Sequence, residues 1–257
     1  MGIEENAGKE NTKESNMEYT LKYKNKNVEN YNELLDSFHD SDFNSIRTST
    51  VPFLDYWKNY DSNINNVNNL LKINNSNLVS LDFEHKTPSV SSNRNSFTDL
   101  MIFFDKDIKI AIEAKYTEGK KGYEETIHQW FDNSENRQNV LEHWKKIIQP
   151  FSNSILDLNK ADEIQYQMLH RTASACYANM KKAVVLYQLF CDNNNDNIKY
   201  KNELMKIKSW ISPKDNLVFA LHFINVVKNK SNVTKGFSNF LKHNNIYSFI
   251  SEKFEIL

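Results

Sequence analysis

Apolar residues recur along this chain with two periods, and the change between them divides it. Tyr31, Leu34, Leu35 and Phe38 fall at the three- and four-residue intervals of one helix face, as do Phe53, Leu54, Trp57 and Tyr60. The region from Tyr19 to about Asn75 therefore reads as helical, broken by Asn-rich stretches. Ser49 or Thr50 is a fitting N-cap for the second helix, with Pro52 in its first turn. Residues 62–77, where Ile64, Val67, Leu70 and Leu71 are interleaved with Asn and Ser, suit a loose helix or a loop.

From Leu78 onward the period shortens to two. Strands are predicted over 78–85, 98–104 and 108–116; the second and third are joined by Asp105-Lys106-Asp107. Helical spacing returns over 123–130, 135–149 and 161–180. The apolar runs at 183–190 and 217–227 read as buried strands, and short segments at 237–241 and 247–254 close the chain. The order predicts an α/β (α+β) fold, a mixed sheet with helices on both faces. Residues 1–16 read as a flexible polar leader, and residues 17–257 as a single domain.

Composition sharpens this in a few places. A chain of 257 residues with 12% aromatic content can bury a substantial core. It contains 37 Asn and 28 Lys but only 4 Arg and 5 Gly, a skew that A/T-rich coding explains. Asn and Lys runs therefore say little about function. The net charge is -1, so bulk charge gives no reason to expect nucleic-acid binding. No apolar run approaches the roughly 20 residues of a bilayer span; the longest is interrupted by His222 and Asn225. The first residues lack the apolar segment of a secretory signal, and Asn6 stands where N-myristoylation wants Ser or Thr. Cys176 and Cys191 form no CxxC pair, which suits reduced thiols in a cytoplasmic protein. With no glycine-rich phosphate loop, no nucleotide cofactor is expected.

The informative chemistry lies in the hairpin. Alternation points Glu113 and Lys115 to one face of the third strand, and Ile108, Ile110, Ile112 and Ala114 to the other. On the second strand Leu100, Ile102 and Phe104 match that apolar face, with Asp99, Met101 and Phe103 opposite. A three-residue turn at Asp105-Lys106-Asp107 sets Asp99 directly across from Glu113; a two-residue turn would displace the pairing by one. Two facing carboxylates raise each other's pKa and repel. A divalent cation relieves that conflict, because Mg²⁺ takes hard oxygen ligands, commonly one or two carboxylates together with substrate phosphate. A neighbouring lysine can then orient a water or neutralise phosphate charge. An ordinary cross-strand salt-bridge ladder is the competing reading, disfavoured because these charges interrupt the most apolar hairpin of the chain on one face only.

Thr98-Asp99 followed by Glu113-Ala114-Lys115 resembles the metal-dependent PD-(D/E)xK nuclease superfamily, the restriction-endonuclease-like fold. The segment Glu113-Ala114-Lys115-Tyr116-Thr117-Glu118 is similar to a subgroup of restriction endonucleases carrying E-x-K-Y-T-E. Phe83-Glu84, Arg94, the stretch Gln167-Met168-Leu169-His170-Arg171 and the apolar run 183–190 fit the same pattern. Thr98 replaces the proline that gives the superfamily its name. The resemblance spans about 45–195, leaving 196–257 as a mixed α/β extension. It implies a Mg²⁺-dependent endonuclease (Mn²⁺ substituting) that acts on DNA. Asp99, Glu113 and the backbone carbonyl of Ala114 would hold the ion, and Lys115 would position the attacking water. Glu84 would be a further ligand, with a solvated strand end paired to Lys86 as its alternative. Gln167 would support the site, and Arg94, His170 and Arg171 are candidate phosphate contacts. Double-strand cleavage would imply a homodimer, since two-fold symmetry supplies the second cut.

Other candidates are weaker. His128, His143 and His222 lack zinc-ligand spacing. Lys120-Lys121 and Lys145-Lys146 read as solvated faces. Tyr123, Trp130, Phe131 and Trp144 read as core aromatics in preference to base-stacking groups. A catalytically silent DNA-binding module of the same fold, or a partner-binding α/β protein, would also suit the sequence.

Overall fold

The computed structural model describes residues 19–43, 48–73, 76–90, 96–116, 125–131, 134–178, 180–191, 197–229 and 236–257. The polar leader, Arg94, Thr117-Glu118, Lys120-Lys121 and Tyr123 lie outside them.

Eight strands form one mixed sheet in the order β2-β1-β3-β4-β5-β6-β7-β8. These are β1 (Thr20–Tyr23), β2 (Lys26–Asn27), β3 (Leu78–Thr87), β4 (Ser96–Phe104), β5 (Ile108–Lys115), β6 (Lys182–Cys191), β7 (Leu217–Lys228) and β8 (Tyr247–Ile256). The pairs β1–β3, β5–β6 and β6–β7 are parallel, and the rest are antiparallel. Strands β7 and β8 continue the sheet beyond β6, so both lie in the same layer as the hairpin.

Alternation sends successive side chains of the central strands into two separate cores. Leu100, Ile102, Ile110, Ile112, Ala114, Val184 and Leu186 face α1 (Tyr31–Ser37), α2 (Thr50–Trp57), α3 (Tyr60–Leu71) and α8 (Phe237–His243). Met101, Ala111, Val185, Tyr187 and Leu189 face α4 (Ile127–Trp130), α5 (Glu135–Ile148), α6 (Tyr166–Cys176) and α7 (Asn197–Ile211). Both faces of the hairpin are therefore covered. No helix among the described residues is long and apolar enough to cross a membrane.

The expectation of helix from Tyr19 onward is corrected at its start. Residues 20–23 form β1, which pairs in parallel with Ser80 to Phe83 of β3. Four residues hold too little alternation to declare a strand, and the partner that stabilises it lies almost sixty positions away. Of residues 62–77, those up to Leu71 are helical, as the end of α3, and Lys72 caps it in the left-handed conformation (φ 52°); residues 74–75 lie outside the described residues. The helix predicted over 123–130 narrows to α4, and that over 161–180 to α6. Cys176 and Cys191 are both buried free thiols.

Two buried polar devices tie α2 to the sheet. Asp55, 2% exposed, accepts the backbone N–H groups of Ile246 and Tyr247, each at 2.7 Å, where β8 begins. Burial raises its pKa to about 6, against the pull of those two donors and of Lys58. An unfolded aspartate titrates at about 3.9, so folding favours the protonated form. The stabilisation this brings is complete below about pH 4 and is lost as pH rises through about 6. Asp55→Asn is expected to flatten that dependence in urea titrations run between pH 4 and 7. Asp55→Ala is expected to cost about 2–4 kcal/mol, because it strands two buried N–H groups.

In the second device Trp57 Nε1 donates to Gln188 Oε1 (2.8 Å), and Gln188 Nε2 lies 3.2 Å from His222 Nδ1. His222 Nε2 is 2.8 Å from Glu252 Oε2, which also accepts the Tyr56 hydroxyl at 3.0 Å. His222 is thereby absorbed into the interior, with β8 held to β7 and α2.

Candidate active site

The turn between β4 and β5 has three residues, with Lys106 and Asp107 both at φ 59°. Pairing runs from Phe104↔Ile108 to Leu100↔Ile112, the register that carries Asp99 to the level of Glu113. The backbone ladder ends there. Asp99 Oδ2 accepts the Ala114 N–H at 2.7 Å, so a carboxylate continues where a backbone carbonyl would have stood. A residue's N–H and C=O leave a strand on the same edge, so the Ala114 carbonyl is also directed to the Asp99 side.

On the other side of β4, the pairs Phe83↔Leu100 and His85↔Thr98 bracket Glu84 and Asp99. Glu84 has left-handed backbone (φ 51°), and this irregularity turns His85 back to meet Asp82 at 2.7 Å. Three carboxylates, Glu84, Asp99 and Glu113, thus occupy one level of three adjacent strands.

Glu113, 3% exposed, is the hub. Helix α6 supplies Gln167 and Arg171, one turn apart and on one face, as their spacing predicted. Gln167 Nε2 donates to Glu113 Oε1 at 2.6 Å, and Lys115 Nζ lies 3.2 Å from the same oxygen. Arg171 Nε donates to Glu113 Oε2, and its Nη1 reaches Thr98 Oγ1 at 3.4 Å. The amide of Gln167 closes the ring, since its Oε1 accepts from Lys115 Nζ at 2.8 Å.

The placement of α6 follows from its ends. Gln165, just before it, bridges to Thr126, and Tyr166 N–H donates to the Glu125 carbonyl. At the other end Lys109 of β5 donates to the carbonyls of Tyr177 (2.8 Å) and Ser174 (3.5 Å). Burial lowers the Lys109 pKa to about 8. The lysine sits where a helix C-terminus attracts positive charge.

Electrostatics separate the three carboxyls. Burial raises Asp99 well above the usual carboxylate range, with Glu113 and Glu84 adding to the rise and Arg171 opposing it. Burial likewise raises Glu84, to about 7, against Arg171 and Lys24. Glu113 is buried too, yet Arg171 and Lys115 hold it below its ordinary value. Burial pushes His170 well below its usual pKa, helped by Arg171 and Lys115. A neutral imidazole follows, its Nδ1 2.7 Å from Ser96 Oγ.

The donor set of Asp99, Glu113 and the Ala114 carbonyl is all hard oxygen, which suits Mg²⁺. No three His, Cys, Asp or Glu side chains among the described residues converge as a ready-made cage. Glu84 is half-buried, not a solvated strand end, and its cationic neighbours are Arg171 and Lys24.

Asp99, Glu84, Glu113, Lys115, Gln167 and Arg171 thus come together, whereas His170 turns to Ser96. Lys109 and Thr98 went unassigned by sequence reasoning. Lys109 shares the alternation that singled out Glu113 and Lys115, so its buried face was visible, but its helix partner was not. Beside the hub, Phe97, Trp130, Arg137, Tyr166, His170 and Arg171 help line a pocket of about 360 Å³. Trp144 is core, as expected, and Trp130 is half-buried and packs against that same core; both also line this pocket.

Neither the curated proteins nor the solved structures contain a match to this chain. Residues 25–235 match the model of a domain of unknown function, DUF6946, and the chain belongs to that family.

Proposed function

We propose that this protein is a Mg²⁺-dependent phosphodiesterase that cuts DNA, an endonuclease of restriction or defence type working in the cytoplasm. The observation that carries the reading is the cluster around Glu113. An aspartate one strand away, a lysine two residues on, and a glutamine and arginine from one helix face all meet at the break in an apolar hairpin. Burying so many ionisable groups is costly unless they are paired for use. The mixed sheet with helices on both faces also supports a restriction-endonuclease-like core.

In this mechanism Asp99, Glu113 and the Ala114 carbonyl would hold a Mg²⁺ ion, which would supply polarisation of a phosphoryl oxygen and a lowered pKa of water. Lys115, kept in place by Glu113 and Gln167, would orient the water that attacks phosphorus in line while the opposite P–O ester bond breaks; the water's proton goes to solvent and the departing oxygen takes one from solvent. Arg171 exchanges part of its contact with Glu113 for a phosphate oxygen. Gln167 fixes the spacing between the lysine and the carboxylate throughout.

One feature favours a second reading, a catalytically silent DNA-binding module: both oxygens of Glu113 are already engaged by Lys115, Gln167 and Arg171. Purified protein incubated with supercoiled and linear DNA, with Mg²⁺ or Mn²⁺, separates the two. Cleavage by wild type that is lost in Asp99→Ala and Lys115→Ala supports the nuclease. Binding without cleavage supports the silent module, and cleavage that survives both substitutions removes the assigned site. A homodimer would be needed for paired cuts, and sedimentation with and without DNA tests for one.

A further inference from the structure

We propose that the pocket between β4, α5 and the start of α6 receives one unstacked nucleobase from the strand whose phosphate lies at Glu113, an assignment that rests on the nuclease reading above. The wall of this pocket is already ordered. The Trp130 ring stacks on Tyr166 with centroids 3.8 Å apart and planes 6° from parallel. The Arg137 guanidinium lies 4.9 Å from the Trp130 ring centroid and donates to the Trp130 carbonyl. The tyrosine ring in turn meets His170 at 5.2 Å. Across the opening stands Phe97, with the Lys24 and Lys86 ammonium groups each 5.8 Å from its ring centroid.

Charge selects the ligand class. Among the described residues the lining includes Arg137 and Arg171, two of only 4 arginines in the chain, and no Asp or Glu. An aromatic-walled pocket that presents arginines suits a planar ring carried on an anionic backbone. About 360 Å³ is enough room for one nucleobase. Polar groups stand where a base edge would be read: the Asn136 amide, and the neutral His170 ring, whose Nδ1 is taken by Ser96.

Connectivity supplies the rest. Gln167 and Arg171 line this pocket and also bind Glu113, so the two places are separated by the width of these side chains. A phosphate at the hub leaves an adjacent base within reach of the pocket, provided that base has left its stack. Single-stranded DNA offers such a base freely, and a duplex must extrude it.

The test uses full-length protein with Ca²⁺ in place of Mg²⁺, and oligonucleotides carrying 2-aminopurine at successive positions, single-stranded and duplex. Wild type is expected to change the probe's fluorescence at one position only, and to bind single strand more tightly than duplex. Trp130→Ala and, as a variant on the separate strand β4, Phe97→Ala are each expected to weaken that binding about tenfold. If wild type cleaves DNA in Mg²⁺ while both variants bind and cut at its level, the pocket assignment falls and the nuclease stands. If nothing cleaves but the position-specific signal and its tenfold loss are seen, the pocket stands and the nuclease reading falls. dAMP binding as tightly as the oligonucleotide would overturn a strand-borne base in favour of a free nucleotide.

Discussion

Replacing Lys115 with alanine is expected to reduce DNA cleavage by about two to four orders of magnitude, the usual range for losing a group that handles the proton or charge of the reacting water. The lysine is 8% exposed, and its ammonium is held by Glu113 at 3.2 Å and Gln167 at 2.8 Å. Its position is therefore set before substrate arrives. Lys115→Arg should not restore the rate, since a planar guanidinium cannot occupy the space of a compact ammonium between the same two acceptors. Asp99→Asn makes a sharper companion. Its amide oxygen can still accept the Ala114 N–H, so the strand end is kept while the negative charge is lost. Loss of plasmid nicking with an unchanged urea midpoint is the expected result for Asp99→Asn. Equal losses of rate and stability would instead assign Asp99 a structural role.

The largest effect on stability is expected from Arg171→Ala, about 3–5 kcal/mol in urea denaturation without metal, because it leaves Glu113 buried beside a single remaining cation. Arg171 is 6% exposed and also reaches Thr98, so no water easily takes its place. Removing both charges together, in Arg171→Ala with Glu113→Ala, should cost less than the two single losses summed. A coupling of at least about 1 kcal/mol would locate the energy in this pair. The pH dependence carries the same signature. Glu113 titrates below its ordinary value when folded, so its contribution is present above the unfolded carboxylate pKa and disappears as pH falls through the lower folded one. Arg171→Ala should shrink that acid-side loss. Additive single effects would show that the guanidinium stabilises α6 by packing alone.

The hairpin was the most legible part of the chain, because three turn residues and strict alternation fix register together. Once Phe104 pairs with Ile108, Leu100 must face Ile112, and Asp99 reaches the level of Glu113. The Gln167–Arg171 face could likewise be read from helical spacing, although only the folded chain brings it over β5. What stayed hidden depends on partners far away in sequence. Strand β1 is four residues long and is stabilised by β3; α7 carries a mixed surface that no single stripe declares. The left-handed backbone of Glu84 follows Val79, Leu81 and Phe83, which alternate with polar residues in the sequence, so nothing local signalled it. The pocket beside the hub combines residues from β4, α4, α5 and α6, and the aromatic spacing of each alone reads as core.

The contact between Trp57 and Gln188 has a directional consequence. An indole N–H can only give a hydrogen, so the amide must turn its oxygen to Trp57 and its nitrogen to His222. Nδ1 of His222 is then an acceptor, and the proton of the neutral ring sits on Nε2, aimed at Glu252. Hydrogen polarity therefore runs one way from α2 through β6 and β7 to the edge strand. A single indole chooses the tautomer of a histidine it never touches. Nitrogen-15 spectra of labelled protein should show His222 as the Nε2–H form. Trp57→Phe should free the Gln188 amide to turn over and let the second tautomer appear.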